Sequence, residues 1–232
     1  MPDGNAKESG LILWGATTSR TLRAHWALAE LGLDYQSHPI EPRSDETKTA
    51  QYTALTARQK IPLLQDRDLV ITESAAIIVY LSDAYGQDHN RLLPTGVVAR
   101  AKCLEWCFFV ISELDAASLY VIRRHRDLKH VYGESPQANE AAAGYLQQQL
   151  RAVLRQLADG RPFLQGDRFS AADLLLSTCI TWAVRYKLAV SAILISYNDR
   201  LTARAAYVEA LRRNKAAGDA TPAATDGSAK PA

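Results

Sequence analysis

Apolar and polar positions follow two rhythms along this chain, and the rhythm changes near residue 96. In the first, short apolar runs are separated by turn residues. LILWG (11–15) predicts a strand that stops at Gly15. SRTLRAHWALAELGL (19–33) predicts an amphipathic helix, with Leu22, Trp26 and Ala29 on one stripe and Gly32 as its stop. DYQSHPI (34–40) predicts a second short strand, and the polar, weakly helical segment from Ser44 to Leu55 reads as a mobile connection. IPLLQ (61–65) and LVIT (69–72) predict two strands joined by a polar DRD turn. ESAAIIVYLSDAYG (73–86) predicts a helix with Ala76, Ile77, Tyr80 and Leu81 on one face and Gly86 at its end. The order β-α-β-(α)-β-β-α implies a right-handed parallel pair followed by an antiparallel hairpin.

Past the polar turn QDHNRLLPTG (87–96), helical periods replace strands. Helices are expected over 98–130, 138–160, 170–186 and 200–214, making the second half all-α. The domain reading is an α/β unit at 10–86, a linker at 87–96 and an all-helical unit at 97–214. Residues 1–9 and the Ala/Pro/Thr/Gly/Ser-rich stretch 215–232 read as disordered tails.

Composition narrows the class. With 47% hydrophobic and 22% charged residues the chain reads as an ordinary soluble globular protein. A formal net charge of +2 gives no reason to expect nucleic acid or a membrane as partner. No apolar run reaches the roughly 18 residues of a membrane span, and MPDGNAKESG has neither region of a signal peptide. Three cysteines without a framework fit a reducing compartment, so a cytoplasmic location is expected. Cys103 and Cys107, four apart on a helix, read as buried small side chains rather than half of a metal site, and no metal is expected.

One segment carries the chemistry. In QKIPLLQDRDLVITESAAIIVYL (59–81), Ile61-Pro62 precedes a hairpin and Glu73-Ser74 opens a helix. An X-Pro bond is cheaply cis, at about 0.5–1 kcal/mol, and proline cannot continue a ladder. A helix N-terminus offers free N–H groups to an anion. Taken alone, Glu73-Ser74 reads more readily as a plain helix cap, and Pro62 as the end of a loop, than as a binding site.

An α/β unit followed by a helical unit, with Ile61-Pro62 before a hairpin, Glu73-Ser74 at a helix start and FLQGDRFSAADLLL (163–176) carrying a Ser170-x-x-Asp173 capping box, resembles the cytosolic glutathione transferases. The resemblance spans about residues 10–214. SRTLRAHWALAELGLDY is most like bacterial and fungal members with Ser-Arg at the first helix. It implies a thioredoxin-like N-terminal domain with a mixed four-stranded sheet, an all-α helical bundle domain, and glutathione as co-substrate. By position, Ile61 would pair its backbone with the cysteinyl unit of glutathione, Ser74 would hold the γ-glutamyl carboxylate and Glu73 the amine. Lys60 stands where a polar glutathione contact is common, or simply in solvent.

Such enzymes need the thiolate, and a hydroxyl bond with a helix dipole lowers the thiol's pKa. ATTSR (16–20) offers Thr17, Thr18 and Ser19. The Ser-Arg subgroup points to Ser19, and other Ser-type classes point one residue earlier, to Thr18. Arg20 either raises the local potential or sits in solvent. The resemblance places an acceptor pocket between the domains, with Tyr120, Arg123 and Arg124 sharing one helix face and Trp14 bordering it. The other reading is a solvated basic face for Tyr120, Arg123 and Arg124, and core packing for Trp14 along with Trp26, Trp106 and Trp182. Conjugation of glutathione to a small electrophile is the expected activity. The alternatives are glutathione-dependent peroxide reduction and a non-catalytic binding module. A homodimer is implied by the resemblance alone.

Overall fold

The structure is a computed structural model that describes residues 10–215, so the two expected tails lie almost wholly outside the described residues. Its first half is a mixed sheet of strand order β2-β1-β3-β4. β1 (Leu11–Trp14) runs parallel to β2 (Gln36–His38) and antiparallel to β3 (Leu63–Asp66), which pairs in turn with β4 (Leu69–Thr72). This is the thioredoxin-like arrangement expected. Alternation along β1 sends Leu11 and Leu13 into the core and Ile12 and Trp14 to the other face.

α1 (Ser19–Glu30) and α3 (Ser74–Tyr85) flank this sheet. Leu13 and Leu64 share a core with Trp26 and Leu28 of α1 and Ile77, Ile78 and Leu81 of α3. The connection from Ser44 to Leu55 is ordered: a 3₁₀ turn (Asp45–Lys48) leads into the short α2 (Ala50–Leu55), capped by Thr49. The buried Tyr52 of α2 packs with Ile40 and Leu63, and Trp14 and Ile61 lie against that cluster.

The second half is helical. α4 (Val97–Phe109) runs into a π-helical stretch (Val110–Leu119) and then α5 (Tyr120–His125). At its end the amide of Tyr120 bonds the carbonyl of Asp115, five residues back. The chain leaves the helix at Arg126, so the single helix expected over 98–130 is this compound rod plus the short α6 (Lys129–Tyr132). α7 (Pro136–Gln156) and α8 (Ala171–Arg185) match two expected helices. The region expected as one helix over 200–214 holds the end of α9 (Ala192–Thr202) and all of α10 (Ala205–Arg213).

α8 starts at the foreseen capping box. The Asp173 carboxylate accepts the Ser170 amide and hydroxyl through one oxygen (2.9 and 2.6 Å) and the Leu164 amide through the other (2.7 Å). Cys103, Cys107 and Cys179 are buried and free. Among the described residues no three His, Cys, Asp or Glu side chains cluster as metal ligands, and no helix is long and apolar enough to cross a membrane.

Candidate active site

The site forms where the end of β1, the start of α1, the loop before β3 and the start of α3 come together. Gly15 makes that approach possible. Its φ is +118°, and a Cβ there would lie 2.7 Å from the Ile61 Cβ and 2.8 Å from the Thr21 Cγ2. The Ile61-Pro62 bond is cis. The Tyr52 hydroxyl donates to the Lys60 carbonyl at 2.8 Å and ties this loop to α2.

Two adjoining cavities open around the loop. One, of about 190 Å³, is lined by Arg20, Ile61, Pro62, Glu73, Ser74 and Asp115, among others. The other, of about 270 Å³, is lined by Thr18, Arg20, Arg43, Lys60, Ile61 and Tyr120, with Lys48, Arg58, Arg123 and Tyr132 completing its charged rim. Arg20, Arg58, Lys60 and Ile61 face both, so the two are halves of one cleft.

At one end, Ser74 is the first residue of α3, and Glu73 precedes it with φ +69°. That turn leaves the first amides of α3 free of any side-chain cap and presents them to the cavity. Glu73 meets Arg58 across the opening, Oε1 to Nη1 at 2.9 Å.

At the other end, Thr18 caps α1. Its hydroxyl oxygen accepts the Thr21 amide at 3.0 Å, and the Thr21 hydroxyl receives the Thr18 amide at 3.0 Å. Asn214, just past α10, closes the network: its Oδ1 lies 2.6 Å from the Thr21 hydroxyl and its Nδ2 donates to the Thr18 carbonyl. The Thr18 and Thr21 hydroxyl oxygens also lie 2.9 Å apart, so the Thr18 proton can donate either to Thr21 or to a group in the cleft.

Arg20 bridges the halves of the molecule. Its Nη2 is 2.5 Å from Asp115 Oδ1, and its guanidinium lies 4.3 Å from the centre of the Tyr120 ring. Arg23, one turn along α1 and fully buried, approaches the second Asp115 oxygen at 2.7 Å through Nη1. Burial alone would favour the protonated acid, but the two guanidiniums hold Asp115 below the usual carboxylate range. Arg20 therefore keeps a fixed place at the junction of the two cavities.

The predicted residues divide accordingly. Thr18, Lys60, Ile61, Pro62, Glu73, Ser74, Tyr120 and Arg123 all line the cleft. Ser19 does not: with Thr17 it lines a second crevice against Trp182, Arg185 and Tyr207, and Thr18 borders both spaces. Thr18 is the extended cap residue before the helix and Ser19 its first turn, so the two side chains leave the backbone in different directions. Trp14 also stands away, on the sheet face opposite Leu13, stacked 4.1 Å from His38 and donating to Gln65. Arg124 sits behind the wall, over the Tyr120 and Tyr132 rings. Sequence reasoning missed Arg43 and Tyr132 and left Arg20 open. The signal for Arg20 was Asp115, set between Leu114 and Ala116 in a largely apolar stretch, where burial of the carboxylate demands cationic partners.

Comparison with known proteins fits this architecture. Residues 9–83 match the family model for the glutathione S-transferase N-terminal domain, and residues 109–212 match that for the C-terminal domain. A glutathione S-transferase from Triticum aestivum is 30% identical over 178 residues, covering 75% of this chain and 78% of the relative. GstA from Escherichia coli O157:H7 is 27% identical over 195 residues, covering 82% and 92%. The crystal structure of a glutathione transferase from Methylococcus capsulatus superposes with a TM-score of 0.73 at 28% identity, covering 88% of this chain and 98% of that one. A theta-class enzyme from Xanthomonas axonopodis, solved with glutathione bound, gives 0.72 at 25%, covering 88% and 97%. By sequence over both halves and by fold, this chain belongs to the glutathione S-transferase family.

Proposed function

We propose that this chain binds glutathione along the cleft and transfers its thiolate to a small electrophile, with Thr18 and Arg20 stabilising the sulfur's charge. Glutathione is an extended tripeptide with a carboxylate at each end. The Ile61 backbone, exposed before a residue that cannot extend a ladder, pairs with its middle in the manner of strand addition. The free amides and hydroxyl at the start of α3, at Ser74, take the γ-glutamyl carboxylate, and Glu73 takes the amine. Lys60 takes the glycine carboxylate.

The sulfur then falls beside Thr18. A free thiol has a pKa near 8.5, so little of it is ionised at neutral pH. The Thr18 proton, the α1 N-terminus behind it and the Arg20 guanidinium all favour the anion. The thiolate attacks the electrophilic carbon, and the leaving group departs with its electron pair. Tyr120 and Arg123 form the wall facing that reaction.

The observation that carries this reading is the convergence of Thr18, Arg20, Lys60, Ile61 and Ser74 on one cleft. Calorimetric titration with glutathione, beside a conjugation assay with 1-chloro-2,4-dinitrobenzene, tests it. Ser74→Ala should weaken glutathione binding by about 1.5–3 kcal/mol, the range for a hydrogen bond to a charged group. Unchanged affinity would remove Ser74 from the site.

A homodimer and a cytoplasmic location complete the proposal. Supporting the first, Leu69 and Val70 on β4 and Val97, Val98 and Phe108 on α4 are exposed in the single chain. Sedimentation equilibrium decides between dimer and monomer.

A further inference from the structure

We propose that the acceptor is itself an anion: an electrophile carrying a carboxylate or similar acidic group, held by Arg43 and Arg123 against the Tyr120–Tyr132 wall. This rests on the transferase reading above and specifies its second substrate.

The cavity beside Thr18 is lined by six basic side chains, Arg20, Arg43, Lys48, Arg58, Lys60 and Arg123, and by no acidic one. Three of them are compensated: Arg20 by Asp115, Lys48 by Asp45 and Arg58 by Glu73. Among the described residues no ion pair joins Arg43, Lys60 or Arg123 to a carboxylate. The glycine carboxylate of glutathione neutralises Lys60, which adjoins the Ile61 strand edge. Arg43 and Arg123 remain uncompensated.

Those two line the cavity together with the Tyr120 and Tyr132 rings. Arg43 reaches over from the loop after β2 and donates through Nη2 to both the Tyr120 hydroxyl (3.1 Å) and the Tyr132 hydroxyl (3.3 Å). Arg124 backs the same two rings at 5.2 and 5.0 Å. The field is legible at Tyr132, whose phenol is made more acidic chiefly by the Arg43 hydrogen bond. Guanidiniums at an aromatic surface suit a flat molecule bearing a planar anion: the rings take its face and the forks its charge. A cleft lined by one sign of charge also concentrates ligands of the other. A neutral electrophile would leave both arginines without an anionic partner.

Two glutathione conjugates read this subsite without turnover. S-(4-carboxybenzyl)glutathione should bind the protein about tenfold more tightly than S-benzylglutathione by calorimetry, and the preference should shrink in 0.5 M NaCl as screening sets in. Arg43→Gln and Arg123→Gln should each cut the preference several-fold. Equal affinities for the two conjugates, or a preference that both variants retain, overturn the inference. Turnover is scored separately with 4-chloro-3,5-dinitrobenzoate and its methyl ester. In each, the glutathione sulfur bonds to the ring carbon, the C–Cl bond breaks, and chloride leaves with the electron pair. Relative to the uncatalysed reaction with glutathione, the carboxylate should be accelerated more. Tight, carboxylate-dependent binding with neither compound conjugated would sink the transferase reading and leave the anion subsite standing.

Discussion

At residue scale the Thr18 hydroxyl accepts the Thr21 amide, and under the proposed function its proton turns from the Thr21 hydroxyl, 2.9 Å away, to the sulfur, so that one side chain serves helix and thiolate. Thr18→Ala removes both services. The cap costs about 1 kcal/mol of stability, and a lost hydrogen bond to a thiolate, about 1.5–3 kcal/mol, raises the bound thiol's pKa by about one to two units. The ultraviolet thiolate absorbance of bound glutathione, followed against pH, reads that shift. Thr18→Ser should restore it, and Ser19→Ala should leave it in place; movement in the Ser19 variant instead would transfer the role. His25 makes a different residue-scale prediction. It is fully buried in α1, bonded to the Tyr35 hydroxyl through Nδ1 and to the Gly15 carbonyl through Nε2. Burial, with Arg213 adding to it, pushes its pKa down from 6.5 to about 4. The unfolded chain therefore takes up this proton first, and acidification favours unfolding across that window. The contribution is complete above pH 6.5 and lost progressively towards pH 4, by about 3 kcal/mol in all. Urea midpoints between pH 7 and 4 measure the loss, and a His25 ring resonance titrating near 6.5 in the native protein would contradict it.

At element scale the site depends on how closely β1 and the loop before β3 approach. Gly15→Ala puts a methyl group 2.7 Å from the Ile61 Cβ at a φ of +118°. Backbone strain and overpacking each cost about 1–3 kcal/mol, so a total of about 2–6 kcal/mol is expected, with weaker glutathione binding because Ile61 must retreat. A urea titration and a calorimetric Kd check the two halves. The strands that border this approach were legible: LVIT is β4 to the residue, and LILW is β1. So was the capping box of α8, because Ser170 and Asp173 carry their geometry in local sequence. What escaped was set by tertiary contact. α9 begins at Ala192 behind its cap Ser191, but Ile193 and Ile195 are exposed and blur its apolar stripe. The π-helical stretch has no signature in a period of 3.6, although it carries Asp115 to the site. The hydroxyls at 17–19 were recognised as a group. Which of them faces the cleft depends on how the start of α1 is seated, and that is set by the Arg23–Thr178 and Thr21–Asn214 contacts, each joining residues more than a hundred apart.

At the scale of the molecule, the two halves are joined by an ion triad, Arg23 and Asp115 buried and Arg20 at the cleft, as well as by apolar packing. One cluster runs from Leu11 and Leu13 of β1 through Trp26 of α1 to Leu174, Leu175 and Leu176 of α8. Through it passes Arg23, which donates from Nε to Thr178 at 2.7 Å, lies 3.3 Å from the Cys179 sulfur through Nη2, and meets Asp115 through Nη1. Its guanidinium has no route to water, so its charge is tolerable only while Asp115 is ionised beside it. Asp115→Ala leaves that cation buried and unpaired, which costs about 3–5 kcal/mol. The same substitution frees Arg20 from its anchor at the cleft, so catalysis and stability should fall together. The core is shared, so the loss belongs to both halves. Tryptophan fluorescence, which reports Trp14 and Trp26 on one side and Trp106 and Trp182 on the other, should move with far-ultraviolet circular dichroism in one urea transition at a lower midpoint. If the α/β half instead keeps its midpoint while the helical half melts early, Asp115 stabilises the helices alone, and Arg23 is not the tie between the two units.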